Sequence, residues 1–403
     1  MNKPLKGIKV IELASHGAVP SCGKALSDWG AEVIKVEPLF GDFGRKSGQN
    51  FGVPMSEEVN PHFELLNGNK KSICLDLKNA EGYEVLMKIL KDADVMITNY
   101  RQGALDKLKL DYNTIHSRFP GIVFGHLSGF GTEGPIAAQP GFDTVSYFAR
   151  TGYMIDFAEK GTPPINAPFG VGDLTAGGTL AGAIGTALFN RERTGEGEQV
   201  EISLYGQSIW GLGIVLQSVK HGVIYPKTRK EATVPLNNCY QCRDGEWIYI
   251  SVLEYDRYCN ALFRLIGRDE LCEDKRFNNA AGGEKNNKEL IKILDDGFKL
   301  YNRDEWRKKL EEADIAFDYI NHMNDVLNDE QALVNDFVVN LKYSNGVETV
   351  IAQQPVRFGS GGVSEHVMAP KLGEQSAEIL ASVGYSKEEI DSFIDKKITL
   401  VRK

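Results

Sequence analysis

Through the first half of the chain, short blocks rich in Val and Ile alternate with longer stretches of helical spacing. Gly7-Ile-Lys-Val-Ile-Glu-Leu13 reads as a strand, Cys22–Trp29 as a helix opening after Pro20-Ser21, and Glu32-Val-Ile-Lys-Val-Glu37 as the next strand. Such a βαβ unit implies parallel pairing and a right-handed crossover. Further strands are predicted at Ser72–Leu77, Val95–Thr98 and Ile122–Leu127, with helices at Ala80–Lys91 and Gly103–Leu108. The expected fold class is α/β, a large Rossmann-like domain built on a mainly parallel sheet.

Two long uncharged runs follow, Leu174–Phe189 and Ser203–Val219. The first is loaded with Gly and Thr and the second carries Gln207, Ser208 and Gln217, so both read as buried helices and not as membrane spans. Gln199–Leu204 between them is predicted as the last strand of the sheet. From about Lys227 the texture changes. A hairpin turn at Arg243-Asp-Gly-Glu246 precedes the strand pattern Trp247–Val252, and highly charged helices are predicted at Asn287–Tyr301 and Arg303–Ala313. Strand-like stretches at Val347–Ala352 and Pro355–Phe358 then lead to helices at Glu374–Val383 and Ser386–Lys396. The expected division is 1–226 for the first part of the large domain, 227–330 for a smaller α+β domain, and 331–403 for a return segment that completes the large one.

With 403 residues, 42% hydrophobic and 25% charged, the composition is that of a soluble globular protein. A formal charge of −9 argues against nucleic acid or an anionic membrane as the main partner. The N-terminus, Met1 to Val10, interleaves charge with apolar residues and has no signal-peptide core, so a cytoplasmic address is expected. Among six cysteines, Cys239 and Cys242 form a lone CxxC with no second pair and no spaced histidines, and a strand follows it. Reduced thiols are the expectation, and no metal site is predicted. The turn Ala14-Ser-His-Gly-Ala-Val-Pro20 is not G-x-G-x-x-G, so a dinucleotide is not supported; P-loop, zincin and G-x-S-x-G patterns are missing too.

Chemistry points to Asp173, in Phe169-Gly-Val-Gly-Asp173-Leu-Thr-Ala-Gly-Gly178. Gly170 and Gly172 remove side chains that would keep a substrate from the carboxylate. Asp173 falls at the start of the small-residue helix, where the helix dipole is expected to keep it ionised. Two readings stand at this stage, a structural N-cap and a covalent nucleophile. Several polar loops flank the strands: Pro38–Lys46, Asn67–Lys71 and Asn99-Tyr-Arg-Gln-Gly103 leading to Lys107. Each alone reads as a solvated loop; together they offer separated cations, an aromatic and amides suited to a long phosphorylated ligand. The glycine-rich Gly125–Pro135 segment is a candidate cover for a reacting centre. His126, inside an apolar strand, reads as a core or loop-supporting histidine.

An ordered set of short stretches gives these readings a frame. Gly7–Leu13 with Gly30–Glu37, Asn69–Ile73, Ala93–Asn99, Gly103–Asp106, Ser128–Gly131 with Pro140–Asp143, Gly172-Asp173, Thr194–Gly197 and Lys371–Glu374 together resemble the type III CoA-transferases, the group that contains formyl-CoA transferase and carnitine CoA-transferase. The resemblance covers nearly the whole chain. It implies an interlocked homodimer of ring-shaped subunits, CoA thioesters and carboxylates as substrates, and no tightly bound metal or redox cofactor. On the matching positions it implies that Asp173 attacks the thioester, passing through a mixed aspartyl anhydride and an aspartyl-CoA thioester. It likewise implies that Asn99, Tyr100 and Lys107 line the CoA site and that Lys70, Lys71 and Arg45 are phosphate contacts. Gly17 and Val19 would border the acyl end, and Gly129, Phe130 and Gly131 would belong to the covering loop.

Departures from the pattern narrow the function. Formyl-CoA transferase has a glutamine at the position of Gly17 and a tetraglycine loop, neither present here, which weakens an oxalate or formate assignment. Related racemases place a histidine at the position of Phe142, which cannot exchange a proton. Within the family, His221–Pro226, Asn328–Ala332 with Asn335-Asp336, and the tail Ile398–Lys403 resemble the clostridial branch acting on 2-hydroxy acids. The implied reaction moves CoA from an enoyl-CoA to an (R)-2-hydroxycarboxylate in amino-acid fermentation, with 2-hydroxyisocaproate favoured over phenyllactate. An acyl-CoA racemase or isomerase, and a non-catalytic CoA-binding subunit, are the alternatives.

Overall fold

The structure is a computed structural model that describes residues 3–46, 48, 52–53, 55–56, 58–360 and 365–402. Met1, Asn2 and Lys403, which end stretches used above, lie outside them. The chain divides into two compact units, Met1–Thr151 with Ala167–Leu216 and Glu330–Lys403, and Gly152–Asn166 with Gln217–Asp329.

The first unit is built on six strands: β1 (Lys9–Leu13), β2 (Glu32–Glu37), β3 (Lys71–Cys74), β4 (Val95–Thr98), β5 (Val123–Ser128) and β6 (Gln199–Ser203). Their spatial order is β3-β2-β1-β4-β5-β6 and every pairing is parallel. The chain runs outward from β1 to β3, returns, and runs outward again from β4. Between β1 and β4 the connections therefore diverge, leaving a crevice at the C-terminal ends of the strands. Val10, Ile11, Val95, Met96 and Ile97 have no exposed surface, as expected for central strands covered on both faces.

The helix expected at Cys22–Trp29 begins earlier, at Ala18, and ends at Asp28. Pro20 sits in its first turn, where a missing N–H leaves no intrahelical bond unmade. The run expected at Ser203–Val219 divides into Leu204–Gly211 and Gly213–Lys220, with glycines on either side of Leu212. Asn60 caps a helix over Pro61–Asn67 by accepting from the Phe63 N–H at 3.1 Å. The return segment seals the β3 edge. Gln375 Oε1 accepts from Ser72 N–H, Thr399 donates to the Cys74 carbonyl, and Asp76 N–H donates to the Ile398 carbonyl. Its helices, Ser376–Ser382 and Lys387–Asp395, bring Ile379, Leu380, Ile390 and Phe393 into the main core. A hairpin of Val338–Lys342 and Glu348–Ala352 precedes them, and Pro355–Phe358 forms no strand.

The second unit holds a three-stranded antiparallel sheet of Asn237–Gln241, Trp247–Ser251 and Phe317–Tyr319. The helices Tyr255–Leu265, Asn287–Phe298 and Arg303–Glu312 pack Phe263, Phe298, Trp306 and Leu310 around Tyr240. Cys239 lies in its first strand and Cys242 just beyond; all six cysteines are free. Among the described residues no helix is long and apolar enough to cross a membrane.

Candidate active site

The loop after β1 is held in place by side chains from three directions. Thr98, at the end of β4, donates to the Leu13 carbonyl at 2.7 Å. Asn99 then clamps one residue on both sides, donating to the Ser15 carbonyl at 2.7 Å and accepting from its N–H at 3.1 Å. Asp42 accepts from the His16 N–H at 3.1 Å, and His16 takes a left-handed φ of 64°. Behind Asp42 lies a buried charge cluster: Lys35 reaches Asp42 at 2.7 Å and Glu12 at 2.8 Å, and Lys70 reaches Glu12 at 2.7 Å. Each of these ions has an opposite partner, the condition under which charge is tolerated in a core. Lys35 holds the Asp42 carboxyl below its usual range, so the acceptor for His16 stays charged.

That loop delivers Gly17 against Asp173. A β-carbon at Gly17 would fall 2.1 Å from Asp173 Oδ2, so only a residue without a side chain lets the carboxylate sit there. From the other side, Ser21 donates to the Asp173 carbonyl at 3.2 Å and to the Ala18 carbonyl at 2.8 Å. A β-carbon at Gly177 would fall 1.9 Å from Ser21 Oγ, so Gly177 lets the two helices approach. The Asp173 helix runs Val171–Thr194 and its cap is Gly170, at φ +85°; Asp173 is therefore in the first turn and does not cap it. Its side chain accepts no hydrogen bond from a described residue and is 9% exposed.

The expectation that the dipole keeps this carboxylate ionised is overturned. Burial, and after it the charge of Asp143, push the Asp173 carboxyl up to about 7. A helix N-terminus contributes ~0.3–1 kcal/mol to an anion, less than one pKa unit, and two stacked opposing effects outweigh it. Asp143 is itself buried, opens a wide π-helical turn over Asp143–Ala149, and accepts the Gly170 N–H at 2.6 Å. Asp173 is thus a carboxyl near its protonation midpoint at neutral pH, more basic than an exposed aspartate.

A cavity of about 650 Å³ opens at the crevice between β1 and β4 and ends on Asp173. Ser15–Ala18 form one wall, Asn99–Ala104 with Lys107 a second, and His126–Gly129 with Phe142 a third. Arg101 and Lys107 are exposed and make no ion pair among the described residues, leaving two uncommitted cations at a cavity with a buried carboxylate. Residues 5–376 match the family described as CoA-transferase family III. The chain belongs to that family. This CoA-transferase is 41% identical over 394 residues to the (R)-2-hydroxy-4-methylpentanoate CoA-transferase of Clostridioides difficile, covering 98% of this chain and 99% of the relative. It is 37% identical to the cinnamoyl-CoA:phenyllactate CoA-transferase of Clostridium sporogenes, covering 98% and 97%. Among solved structures, a CaiB/BaiF family protein from Brucella suis superimposes with a TM-score of 0.80 at 28% identity, covering 95% of this chain and all of the other. A protein from Mycobacterium tuberculosis gives 0.82 at 26% identity, covering 93% and 98%.

The structure of this CoA-transferase brings Asp173, Gly17, Asn99, Tyr100, Lys107, Gly129 and Gly131 to one cavity. It does not bring Lys70, Lys71 or Arg45 there, and their reading as phosphate contacts is corrected. Lys70 is buried and donates to Glu12, the Pro20 carbonyl and Asn67. Lys71 pairs with Glu32 and Glu378 at the N-terminal ends of the strands, away from the cavity. Arg45 binds Glu37 through two 2.7 Å bonds and covers the Phe63 ring. Asn99 lines the cavity, but its amide is spent on Ser15. Val19 is fully buried in its helix, and Gly172 backs Asp173, its Cα resting against Asp143 and Tyr147. Phe130 lies beside Tyr205 and Arg150. His126 is buried and its Nε2 bonds the Tyr100 carbonyl at 2.9 Å, so it supports the β4 loop as well as lining the cavity. Sequence reasoning missed Arg101, Ser21 and Asp143. Arg101 stands inside a stretch already singled out; Asp143 gave only its place beside Phe142. Among the described residues no group of three or more His, Cys, Asp or Glu is arranged to hold a metal.

Proposed function

We propose that this enzyme transfers CoA from an acyl- or enoyl-CoA to a 2-hydroxycarboxylate, with Asp173 as the covalent nucleophile. The observation that carries this reading is the buried Asp173 carboxylate, which accepts no hydrogen bond from the described residues, on a cavity also lined by Arg101 and Lys107, which form no ion pair among them. Asp173 Oδ attacks the thioester carbonyl; a C–O bond forms, the C–S bond breaks, and the electron pair leaves on sulfur as the CoA thiolate. The product is a mixed aspartyl anhydride. The CoA thiolate then attacks the aspartyl carbonyl and releases the donor acid, leaving an aspartyl-CoA thioester. The acceptor carboxylate attacks that thioester and expels the thiolate, and the thiolate attacks the acceptor's carbonyl in the second anhydride, releasing acceptor-CoA and the free Asp173 carboxylate. Arg101 and Lys107 are placed to neutralise CoA phosphates, while Asn99 and Asp42 hold the loop that seats Gly17 against the nucleophile.

Two relatives named above act on 2-hydroxy acids, and the more similar is named for (R)-2-hydroxy-4-methylpentanoate, the 2-hydroxyisocaproate favoured from the sequence. We take that branched acid, a product of leucine fermentation, as the preferred acceptor and phenyllactate as second. Two copies are proposed to associate as a homodimer in the cytoplasm, a reading supported by the exposure of Trp210 (81%) and Ile214 (83%), large apolar side chains that a partner surface would cover. Phe142 on the cavity wall disfavours a racemase, since it cannot carry a proton.

The test is a mass-spectrometric screen of the purified protein with a panel of acyl-CoA donors and carboxylates. We expect exchange with 2-hydroxy acids, hydroxylamine trapping of an aspartyl hydroxamate at Asp173, and no exchange by Asp173→Ala. A fully active Asp173→Ala enzyme would end the proposal, as would solvent deuterium entering the α-carbon with no acceptor acid required.

A further inference from the structure

The carboxylate of Asp143 is 2% exposed, and neither it nor Asp173 pairs with a cation among the described residues. A buried carboxylate without an opposite charge opposes folding, yet the chain places two side by side. Asp143 has both carboxylate oxygens facing the segment that presents Asp173. Its Oδ2 accepts the N–H of Gly170, the left-handed residue from which the helix starts, at 2.6 Å. Its Oδ1 lies where a β-carbon of Gly172 would come within 2.2 Å, with Tyr147 Cγ at 2.5 Å on the same side. The Gly170–Gly172 turn therefore rests on Asp143. A π-helical turn, which inserts an extra residue per turn, directs that carboxylate inward together with Ser146 and Tyr147.

We infer that Asp143 is a positioning residue for the transfer reaction: it holds the turn that aims Asp173, and when ionised its negative charge favours the step in which Asp173 gives up its own. This rests on the reading of Asp173 as nucleophile. When Asp173 attacks a thioester, the C–O bond forms, the C–S bond breaks, and the negative charge passes from carboxylate to sulfur. The repulsion between the two aspartates is present before that step and absent after it. A reactant destabilised in this way reacts faster, and a more basic carboxylate is a better nucleophile.

Other titratable groups surround the pair. His16 and His126 line the cavity, with Arg101 and Lys107 on its walls. Tyr147 packs against Gly172 from the π-helical turn. Lys24 and Asp28, on the helix that crosses at Gly177, are paired with each other, and Glu201 on β6 reaches Thr132 and Gln199. Of all these, Asp143 is the group whose charge raises the Asp173 carboxyl; burial pushes the Asp143 carboxyl up as well, and the N–H groups of Gly170 and Gly172 favour its ionised form against that burial.

The test compares Asp143→Asn and Asp143→Ala with the wild type, measuring single-turnover release of CoA thiol from an acyl-CoA in hydroxylamine between pH 5.5 and 9. Asparagine keeps an acceptor for Gly170 but loses the charge. We expect its acid limb to move down by about one pH unit, its plateau rate to fall about three- to tenfold, and KM to stay within about twofold. Alanine loses both, and its plateau should fall at least about tenfold further with the same acid limb as asparagine. An asparagine variant with the wild-type acid limb and plateau overturns the role of the charge. An alanine variant equal to asparagine overturns the role of the contact, and if alanine does not fold the asparagine profile still decides. Failure of the wild type to form a hydroxamate at Asp173 sinks the nucleophile reading instead, and is seen in the same experiment.

Discussion

Replacing Asp173 by asparagine removes a charge that opposes folding, and the size of the effect follows from the site. The carboxyl moves from 3.8 to about 7 on folding, through burial first and Asp143 second. About three units at 1.36 kcal/mol each make ~4 kcal/mol, an upper bound because cavity water relaxes part of the burial. The sign is fixed by proton binding. Between pH 3.8 and about 7 the unfolded chain has lost the proton and the folded chain still holds it. Wild-type stability therefore falls as pH rises through that window and is level above it.

Asparagine binds no proton, so the difference between variant and wild type should be flat below pH ~4, grow by up to ~1.4 kcal/mol per unit, and level off above pH ~7. Any effect of the amide itself adds a constant and leaves this shape unchanged. Thermal midpoints of the two proteins, measured side by side at one scan rate from pH 4.5 to 8.5, read it directly. Of the ~4 kcal/mol, ~3 kcal/mol lies between pH 4.5 and 8, so at ~1–2 °C per kcal/mol for a chain of this length the variant should gain about 3–6 °C at pH 8 over its offset at pH 4.5. On the proposed mechanism the same substitution should abolish transfer, a trade of stability for activity expected where a reactive group is kept unsatisfied. A midpoint difference that does not change with pH refutes the argument.

Three further outcomes follow from the same contacts. Gly17→Ala places its β-carbon 2.1 Å from Asp173 Oδ2, an atom at the end of a side chain that can rotate away; turnover should fall at least ~100-fold while the thermal midpoint stays within ~2 °C. Arg101→Ala and Lys107→Ala should each raise KM for the CoA thioester by about tenfold with kcat nearly unchanged, and should flatten its dependence on salt, as steady-state kinetics at two ionic strengths will show. Lys71→Ala, at an exposed pair remote from the cavity, should leave KM unchanged and stability within ~1 kcal/mol, whereas Lys70→Met leaves Lys35 alone against Glu12 and Asp42, with one buried negative charge in excess, and should cost ~3–5 kcal/mol by denaturant unfolding.

The sheet was legible because its signal is local. Val95–Thr98 and Ala80–Lys91 match the pattern at both ends, since a period of hydrophobic positions needs nothing from the rest of the chain. Asp173 was legible for a similar reason, as a carboxylate framed by glycines. Its placement was not: whether Gly170 or Asp173 caps the helix turns on the Asp143 bond, made across 27 residues. The cations failed on distance too. Lys70 meets Glu12 from 58 residues away and Lys71 meets Glu378 from 307, and no local pattern separates a lysine with a buried partner from one without. For Lys71 a topological argument was available. In a parallel sheet the loop preceding a strand lies at the opposite end from the loops that follow strands, so residues just before β3 could not share a site with those after β4.

The two buried sets of charge on either side of Gly17 explain why this glycine matters more than its neighbours. Below it, Glu12, Lys35, Lys70 and Asp42 are mutually paired, so that set has one low-energy arrangement and fixes the path of Ser15 and His16. Above it, Asp143 and Asp173 pair with no cation among the described residues, so that set is held by the Gly170 N–H and by what packs around it. On the proposed mechanism, a rigid floor under an unsatisfied carboxylate would let the reaction use the instability without Asp173 moving away to relieve it. Gly17 is the contact between the two, and its missing side chain permits the close approach. Loosening the floor should then resemble damage to the nucleophile. Asn99→Ala, which touches neither Asp173 nor a cation, frees both polar groups of Ser15 and should lower kcat by about 10- to 100-fold at nearly constant KM. If the loss falls on KM instead, Asn99 contacts the substrate, and the loop owes its position to the charge cluster alone.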